Sequence, residues 1–174
     1  ICERLIKQGD KVRTVARRPQ EPDAKALQAV GVEVLPGDVK DINSLRKATE
    51  GMDGVIHSAA MLGRPGATME EGVPTNVLGT INVLSVAQEV GGIPVVQLLT
   101  TTFFDMWDKP LTEFSPLDKY YRNTDVYSFT KRLAYVEGVV RANEGQDIRF
   151  MIPGAVYGPS VCVEKAMSNA SYND

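Results

Sequence analysis

The stretch VYSFTKRLAYVEGVVRANEGQDIRFMI, residues 126–152, contains the two kinds of structural unit that decide the fold. Residues 126–143 are predicted to form a helix, and the apolar run 148–152 is predicted to form a short strand. The same alternation recurs towards the N-terminus. The other predicted strands are 11–16, 32–35, 54–57 and 95–99, and the other predicted helices are 1–8, 23–30, 44–50 and 70–90, the last broken near Pro74.

Short strands that are apolar on both faces and alternate with helices are typical of a parallel sheet covered by helices on both sides. The sequence therefore predicts an α/β, doubly wound parallel sheet, and we interpret residues 1–174 as one partial domain. Ligands of such sheets bind at the carboxyl ends of the strands. The residues that follow each predicted strand are therefore the candidate site residues.

The composition is that of an ordinary globular protein. The chain has 174 residues, of which 43% are hydrophobic and 24% charged, and a net charge of −3 with no long basic run. Nucleic acid and anionic membranes are therefore not expected as partners, and no apolar stretch reaches the ~20 residues of a membrane span. Cys2 and Cys162 form no disulfide or metal pattern, which favours a reducing cytoplasm. His57 is the single histidine, so no metal site is predicted.

Tyr127 and Lys131 are four residues apart in the predicted helix, so they lie on one face, one turn from each other. The ammonium of Lys131 would favour the phenolate of Tyr127 and lower a pKa that is ordinarily about 10. Such a pair can move a proton on or off a hydroxyl at neutral pH. The spacing alone is weak evidence, and the alternative is a surface tyrosine packed on a lysine stem.

Polar residues follow two of the strands. In the run Thr100-Thr101-Thr102 a hydroxyl could bind a substrate oxygen and orient it against Tyr127, although β-branched residues also simply end strands. Arg17 and Arg18 follow the strand 11–16, where an acid would bind the 2′-hydroxyl of NAD and an arginine suits the 2′-phosphate of NADP. These arginines favour NADP over NAD, and the alternative is a solvated surface pair.

Two further strand ends are candidates for the cofactor. Asp38 and Val39 could contact an adenine, although an aspartate there is also common at turns and helix caps. The small residues Ser58, Ala59 and Ala60 would let a ribose or phosphate approach the backbone closely. His57, just before them, is interpreted as a packed core histidine rather than as a catalytic group.

Taken together, these segments resemble the extended short-chain dehydrogenase/reductases, the NAD(P)-dependent epimerase/dehydratase family. The matching segments follow the order of the family along nearly the whole chain. They are VRTVAR (12–17), GDVKD (37–41), VIHSAA (55–60), NVLGT (76–80), the Thr100 strand end, YSFTK (127–131) and PGAVYGP (153–159).

The resemblance implies the following catalytic roles. Tyr127 is the acid/base, and Lys131 holds the nicotinamide ribose and lowers the pKa of the tyrosine. Thr100 aligns with the catalytic Ser/Thr, with Thr101 as the alternative register. Asn76 resembles the helix asparagine that shapes the edge of the active site.

The resemblance also implies cofactor contacts. Asp38 and Val39 would contact adenine. The cofactor-binding residues Ser58, Ala59 and Ala60 would lie beside the ribose and phosphate of the cofactor. Pro153 and Val156 would lie along the nicotinamide. Two departures concern the substrate side: Ile152 replaces an arginine, and Thr102 to Asp105 replace a small-small-V-Y-G pattern.

The largest departure from the family is an absence. The family begins with a strand and a G-x-x-G-x-x-G turn that binds pyrophosphate, whereas residues 1–5 of this chain align with the helix that follows that turn. The C-terminal part that builds most of the substrate pocket is also missing. We therefore expect an incomplete sheet, from the middle of a longer protein. Because the missing strand is central, we expect this sequence alone to fold poorly or to bind cofactor weakly.

The function that the resemblance implies is an NAD(P)-dependent oxidoreductase that acts on a small carbonyl, alcohol or sugar. The arginines make a simple reductase the first interpretation, and a nucleotide-sugar epimerase or dehydratase is the alternative. The chain could instead be a non-catalytic NADP-binding relative or an inactive fragment. The family also implies a possible homodimer formed by the helices that bear Asn76 and Tyr127.

Overall fold

The computed structural model of the chain describes residues 1–105, 110–119 and 125–154. Helices and strands alternate along this part of the chain, as predicted. The helices are α1 (Cys2–Gln8), α2 (Pro22–Ala29), α3 (Ile42–Thr49), α4 (Met69–Val73), α5 (Gly79–Glu89) and α6 (Val126–Asn143), with a π-helical segment (Pro74–Leu78) between α4 and α5. The strands are β1 (Arg13–Ala16), β2 (Glu33–Pro36), β3 (Val55–His57), β4 (Val95–Leu98) and β5 (Ile148–Met151).

The chain divides into two compact units, whose described residues are 1–37 and 38–154. In the first unit, β1 and β2 pair in parallel with Arg13 opposite Glu33, and the two side chains form an ion pair at 2.7 Å. Helix α1 ends at Gly9, which has a φ of 92°. Glycine adopts this left-handed conformation without steric strain, so it ends the helix at little cost.

The second unit contains a three-stranded parallel sheet in the order β3-β4-β5. Val95 of the central strand lies opposite Val55 on one side and Ile148 on the other. Adjacent parallel strands need a crossover connection, and the helical run from α4 to α5 and helix α6 provide the two crossovers. Val95 and Gln97 of β4 are completely buried, so one face of the sheet is covered along its central strand, while Val96 and Leu98 on the other face are partly buried.

The helical run before β4 changes its hydrogen-bond pattern at Pro74. The backbone N–H of Gly79 donates to the carbonyl of Pro74, five residues back, and this widened turn defines the π-helical segment. The predicted break near Pro74 is therefore a π segment within a continuous helical run. Proline lacks the backbone N–H of a regular helix, and π segments are frequent at functional sites. Asn76 lies at the centre of this segment.

The loop after β4 is fastened by a short antiparallel contact. Phe104 pairs with Leu117, and the backbone N–H of Asp118 donates to the Phe103 carbonyl at 3.0 Å. The Phe103 and Phe104 rings pack on the Tyr135 ring of α6, with centroids 5.5 and 5.7 Å away. This aromatic cluster holds the start of the loop against α6.

The structure confirms the α/β class and the parallel pairing that the sequence predicts. The described strands form two small sheets, β1-β2 and β3-β4-β5, so the parallel sheet is incomplete, as expected. The interpretation of residues 1–174 as one nucleotide-binding domain stays a prediction. No helix in the described ranges is long and apolar enough to cross a membrane.

Candidate functional site

The carboxyl end of β4 and the first turn of α6 meet through hydroxyl groups. Ser128 Oγ donates to Thr102 Oγ1 at 2.7 Å, and the Thr100 hydroxyl lies 3.3 Å from that of Thr102. Asp125 caps the start of helix α6, and its carboxylate accepts the backbone N–H of Ser128 at 3.0 Å. The predicted hydroxyl of Thr100 is thus linked, through Thr102, to the residue after Tyr127.

The resemblance gives the catalytic role to Thr100, or to Thr101 in the alternative register, yet the hydroxyl of the run that contacts α6 is that of Thr102. The contact between Thr102 and Ser128 depends on the tertiary packing of the end of β4 against α6, which the local sequence does not show. A long loop separates Thr102 from α6, so the number of residues between them does not indicate that the two are in contact. We therefore add Thr102 to the candidate hydroxyls.

Lys131 is buried, with 3% of its surface exposed, and its ammonium donates to the Leu98 carbonyl at 2.5 Å. Burial disfavours the charged form and lowers the pKa of Lys131 to about 8. Tyr127, one turn earlier on α6, is half-buried. The ammonium points inward to the end of β4, which the alternative of a surface tyrosine packed on a lysine stem does not predict.

The loop after β3 passes close to the first turn of α6. A Cβ built on Gly63 would lie 3.2 Å from the Cβ of Tyr127 and 3.3 Å from Asp125 Oδ1. These separations are tighter than ordinary van der Waals contact. Glycine at position 63 therefore allows this loop to run against the Cβ of Tyr127 and the carboxylate of Asp125.

Asn76 is buried and its amide bridges three elements. Its Oδ1 accepts the backbone N–H of Met61 at 2.6 Å, and its Nδ2 donates to the Met61 carbonyl at 3.0 Å and to Thr130 Oγ1 at 2.8 Å. Both amide hydrogens are thus used by the protein. Asn76 therefore ties the loop after β3 and the π segment to helix α6, which fits the predicted role of shaping the site edge.

His57 is 3% exposed and its Nε2 lies 2.9 Å from Thr80 Oγ1, which in turn donates to the carbonyl of Asn76 at 2.7 Å. Burial lowers the pKa of His57 to about 4, with a smaller contribution in the same direction from the Lys131 ammonium. The ring is therefore neutral at pH 7. This environment agrees with the interpretation of His57 as a packed core histidine.

The neutral state of His57 predicts a loss of stability on acidification. An unfolded histidine takes up a proton near pH 6.5, whereas the folded one does so only near pH 4. Between these values the unfolded state binds more protons, so stability is full above about pH 6.5 and falls towards pH 4. We expect this residue to contribute a loss of about 3 kcal/mol over that range.

The measurement is the free energy of unfolding against pH for the wild type and for His57→Gln. Glutamine can keep a hydrogen bond to Thr80 but does not titrate, so the difference between the two curves isolates His57. Because His57 is the single histidine, its ring can also be followed directly by NMR. Parallel curves, or a ring that titrates near its ordinary pKa, would contradict the prediction.

The predicted adenine-side residues occupy a turn before α3. Asp38 Oδ1 accepts the backbone N–H of Lys40 at 3.0 Å, and the backbone N–H of Asp38 donates to Ser44 Oγ at 3.2 Å. Val39 packs on Gly79, where an added Cβ would lie 2.7 Å from Val39 Cγ2. Asp38 is thus a turn aspartate in this structure, and the adenine contact of both residues stays a prediction.

The other predicted cofactor residues differ in exposure. Ser58 and Ala59 are exposed at the end of β3, while Ala60 and Pro153 are half-buried. Small exposed residues at a strand end leave the backbone accessible, which suits close approach of a ribose or phosphate. The remaining nicotinamide-side residue, Val156, lies outside the described residues.

Arg17 and Arg18 lie in the first unit, just after β1, and both are exposed. Arg18 pairs with Glu21 at 2.9 Å. A guanidinium held by a neighbouring carboxylate is less available to a phosphate, so Arg17 is the stronger candidate of the two. Within the described residues no group of three or more His, Cys, Asp or Glu side chains is placed to hold a metal ion.

Comparison with known proteins gives a match over nearly the whole chain. Residues 1–171 match the model of the NAD dependent epimerase/dehydratase family. Sterol demethylase protein B of Methylococcus capsulatus is 30% identical over 162 residues, which cover 91% of this chain and 48% of that protein. A putative dihydroflavonol 4-reductase of Synechocystis is 28% identical, with 91% of this chain and 46% of that protein covered. The chain thus spans about half the length of these curated relatives.

Solved structures confirm the fold. UDP-glucose 4-epimerase from Stenotrophomonas maltophila, with bound NAD and a formylated UDP-arabinopyranose, superposes with a TM-score of 0.74 at 19% identity, covering 87% of this chain and 47% of the epimerase. The Bordetella bronchiseptica enzyme WbmH, in complex with NAD⁺, gives 0.71 at 18% identity, with 99% and 58% covered. These similarities confirm the doubly wound α/β fold that the sequence predicts, and they identify it as Rossmann-like.

Proposed function

The chain belongs to the NAD dependent epimerase/dehydratase family, and on that premise we propose that the protein is an NAD(P)-dependent oxidoreductase that reduces a carbonyl or oxidises a hydroxyl of a small molecule. The observation that carries the proposal is the arrangement at the start of α6. Tyr127 and the buried Lys131 share one helix face, and a hydroxyl of the Thr100–Thr102 run reaches the same turn.

The reaction that this arrangement supports is a proton transfer coupled to hydride transfer. Bound NAD(P) supplies or accepts the hydride. Tyr127 gives a proton to the substrate oxygen during reduction and takes it back during oxidation. Lys131 carries its positive charge below about pH 8 and favours the phenolate. Thr100, or Thr102 beside it, donates a hydrogen bond that orients the substrate oxygen.

The substrate class and partners remain part of the proposal. We propose a small carbonyl, alcohol or sugar as the substrate and the cytoplasm as the location. A nucleotide-sugar epimerase or dehydratase is the alternative within the family, because such enzymes borrow a hydride and return it. The alternative of a non-catalytic NADP-binding relative would leave cofactor binding without turnover. The homodimer stays a prediction.

In the deciding experiment, the whole protein is mixed with cofactor and with each member of a panel of aldehydes, ketones, alcohols and nucleotide sugars. The absorbance of NAD(P)H is then followed over time. Net consumption or formation of NAD(P)H supports a reductase or dehydrogenase. Conversion of a nucleotide sugar without net change in cofactor indicates the epimerase or dehydratase. Cofactor binding with neither result across the panel would reject catalysis.

The preference for NADP over NAD is the finer proposal about the cofactor. It rests on Arg17, which is exposed directly after β1. A hydrogen bond to a charged group contributes about 1.5–3 kcal/mol, so we expect Arg17→Ala to weaken NADPH binding by about 10- to 100-fold. NADH binding should change little, since NADH has no 2′-phosphate.

Fluorescence titration of both cofactors measures the preference. Lys25→Ala is the matched control, because it removes one exposed positive charge from the same unit. Arg18→Ala should have a smaller effect, since Arg18 already pairs with Glu21. If Arg17→Ala weakened the binding of NADH and NADPH equally, Arg17 would not be a ligand of the 2′-phosphate.

A further inference from the structure

Thr130 lies between Tyr127 and Lys131 in sequence, and its side chain is fully buried. Its hydroxyl donates to the backbone carbonyl of Val126 at 2.6 Å, and the Tyr127 carbonyl is 3.1 Å away. The same oxygen accepts Asn76 Nδ2 at 2.8 Å. The hydroxyl hydrogen is therefore bound within its own helix, and the hydroxyl oxygen accepts a hydrogen bond from the π segment.

The methyl group of Thr130 is equally confined. Gly72 of α4 lies against it, and a Cβ built on this glycine would lie 3.2 Å from Thr130 Cγ2 and 2.5 Å from Val126 Cγ1. Helices α4 and α6 thus approach closely because position 72 has no side chain. Thr130 is held by contact on its methyl side and by hydrogen bonds on its hydroxyl side.

These contacts connect the parts of the proposed site. Asn76 holds both backbone groups of Met61 in the loop after β3, and it reaches α6 through Thr130. A shift of α6 along the π segment would displace Tyr127 and Lys131 together. The link to Asn76 opposes such a shift, because breaking it would leave a buried amide hydrogen without a partner.

We propose that Thr130 is a positioning residue. Its hydroxyl is shared between Asn76 and the first-turn carbonyls of α6, and it thereby fixes the register of this helix against the π segment. This register places the Tyr127 phenol and the Lys131 ammonium. The inference rests on the proposed function, since it gives a role to the site around Tyr127. Thr130 itself touches neither substrate nor cofactor in this scheme.

Two substitutions separate the hydroxyl from the methyl group. Thr130→Val keeps the shape and removes the hydroxyl, whereas Thr130→Ser keeps the hydroxyl and removes the methyl. Small displacements of catalytic groups can lower rates about 100-fold. We expect Thr130→Val to lower kcat by about 10- to 100-fold and Thr130→Ser to retain kcat within about 3-fold.

A merely structural role would give a different result. Both variants would then lose kcat in proportion to their loss of folded protein, which thermal unfolding measures. A double-mutant cycle with Asn76→Leu adds a second criterion: if the two residues act through their shared hydrogen bond, Thr130→Val should cost little more kcat in the Asn76→Leu background. Equal kcat for Val and Ser variants, or fully additive losses, would overturn the proposal.

The inference can be tested even if the wild-type protein turns over no substrate, in which case the proposed oxidoreductase function fails. The test is then the ultraviolet difference titration of the Tyr127 phenol, taken for each protein against the same protein carrying Tyr127→Phe. Lys131, Asp125 and His57 are unchanged in all of them. A midpoint that moves in Thr130→Val and not in Thr130→Ser supports positioning; midpoints that agree in all three overturn it.

Discussion

Tyr127→Phe is expected to lower turnover by about 100- to 10,000-fold, the usual contribution of a positioned acid/base, while NAD(P)H affinity changes by less than about 2-fold. The physical reason is that phenylalanine keeps the ring and loses only the phenolic oxygen. Because the removed oxygen acts on the proton in the transition state, kcat and kcat/KM should fall together. Single-turnover kinetics and cofactor titration on the whole protein provide the measurement.

Tyr135→Phe is the matched control for that substitution. Tyr135 lies two turns later on the same helix, and its ring stacks on Phe103 with centroids 5.5 Å apart. The substitution removes the phenolic oxygen of Tyr135 and keeps its ring contacts, so turnover should stay within about 2-fold of the wild type. If Tyr127→Phe kept comparable turnover, the assignment of Tyr127 as the acid/base would be wrong.

The local features of the fold could be predicted closely from the sequence. Helix α6 begins and ends at the predicted residues, Val126 and Asn143. Its start is fixed by the Asp125 cap, and the left-handed Gly145 lies two residues beyond its end. Both signals are local, and so they can be recognised without knowing the tertiary packing. The strand bounds likewise differ from the predicted ones by one or two residues.

The tertiary links within the site could not be predicted in the same way. Pro74 indicated a break in the long helix, but the π segment depends on the contacts of Asn76 with the Met61 loop and with α6. The hydroxyl that meets α6 belongs to Thr102, whereas the family resemblance selects Thr100 or Thr101 of the same run. Such links join residues that are far apart in sequence, so no local spacing reveals them.

Helix α6 packs on the sheet over a polar side chain that is buried in the core. Gln97 lies at the centre of β4 and is completely buried, with its Nε2 donating to the Ala134 carbonyl at 3.0 Å. Its Oε1 accepts no hydrogen bond within the part of the chain that the structure describes. The helix comes this close to the strand at Gly138, where an added Cβ would lie 2.5 Å from that oxygen.

Gly138→Ala is therefore expected to destabilise the protein, the reverse of the usual effect. In an ordinary helix interior alanine is favoured over glycine by about 1 kcal/mol. Here the new methyl would meet Gln97 Oε1 at 2.5 Å and Phe150 Cε1 at 2.8 Å. Overpacking of a dense core costs about 1–3 kcal/mol, which exceeds the gain in helix propensity, so we expect a net loss of up to about 2 kcal/mol, measured by denaturant unfolding.

A control and a compensating substitution identify the cause of that loss. Val140→Ala, on the exposed face two residues later, should change stability by less than about 0.5 kcal/mol. Gln97→Ala removes the nearer obstacle, so it should cost less in the Gly138→Ala background than in the wild type, although Phe150 remains close. A stabilised Gly138→Ala protein would mean that helix propensity outweighs this contact. Purely additive losses would mean that Gln97 is not the obstacle, and would assign the loss to the contact with the Phe150 ring.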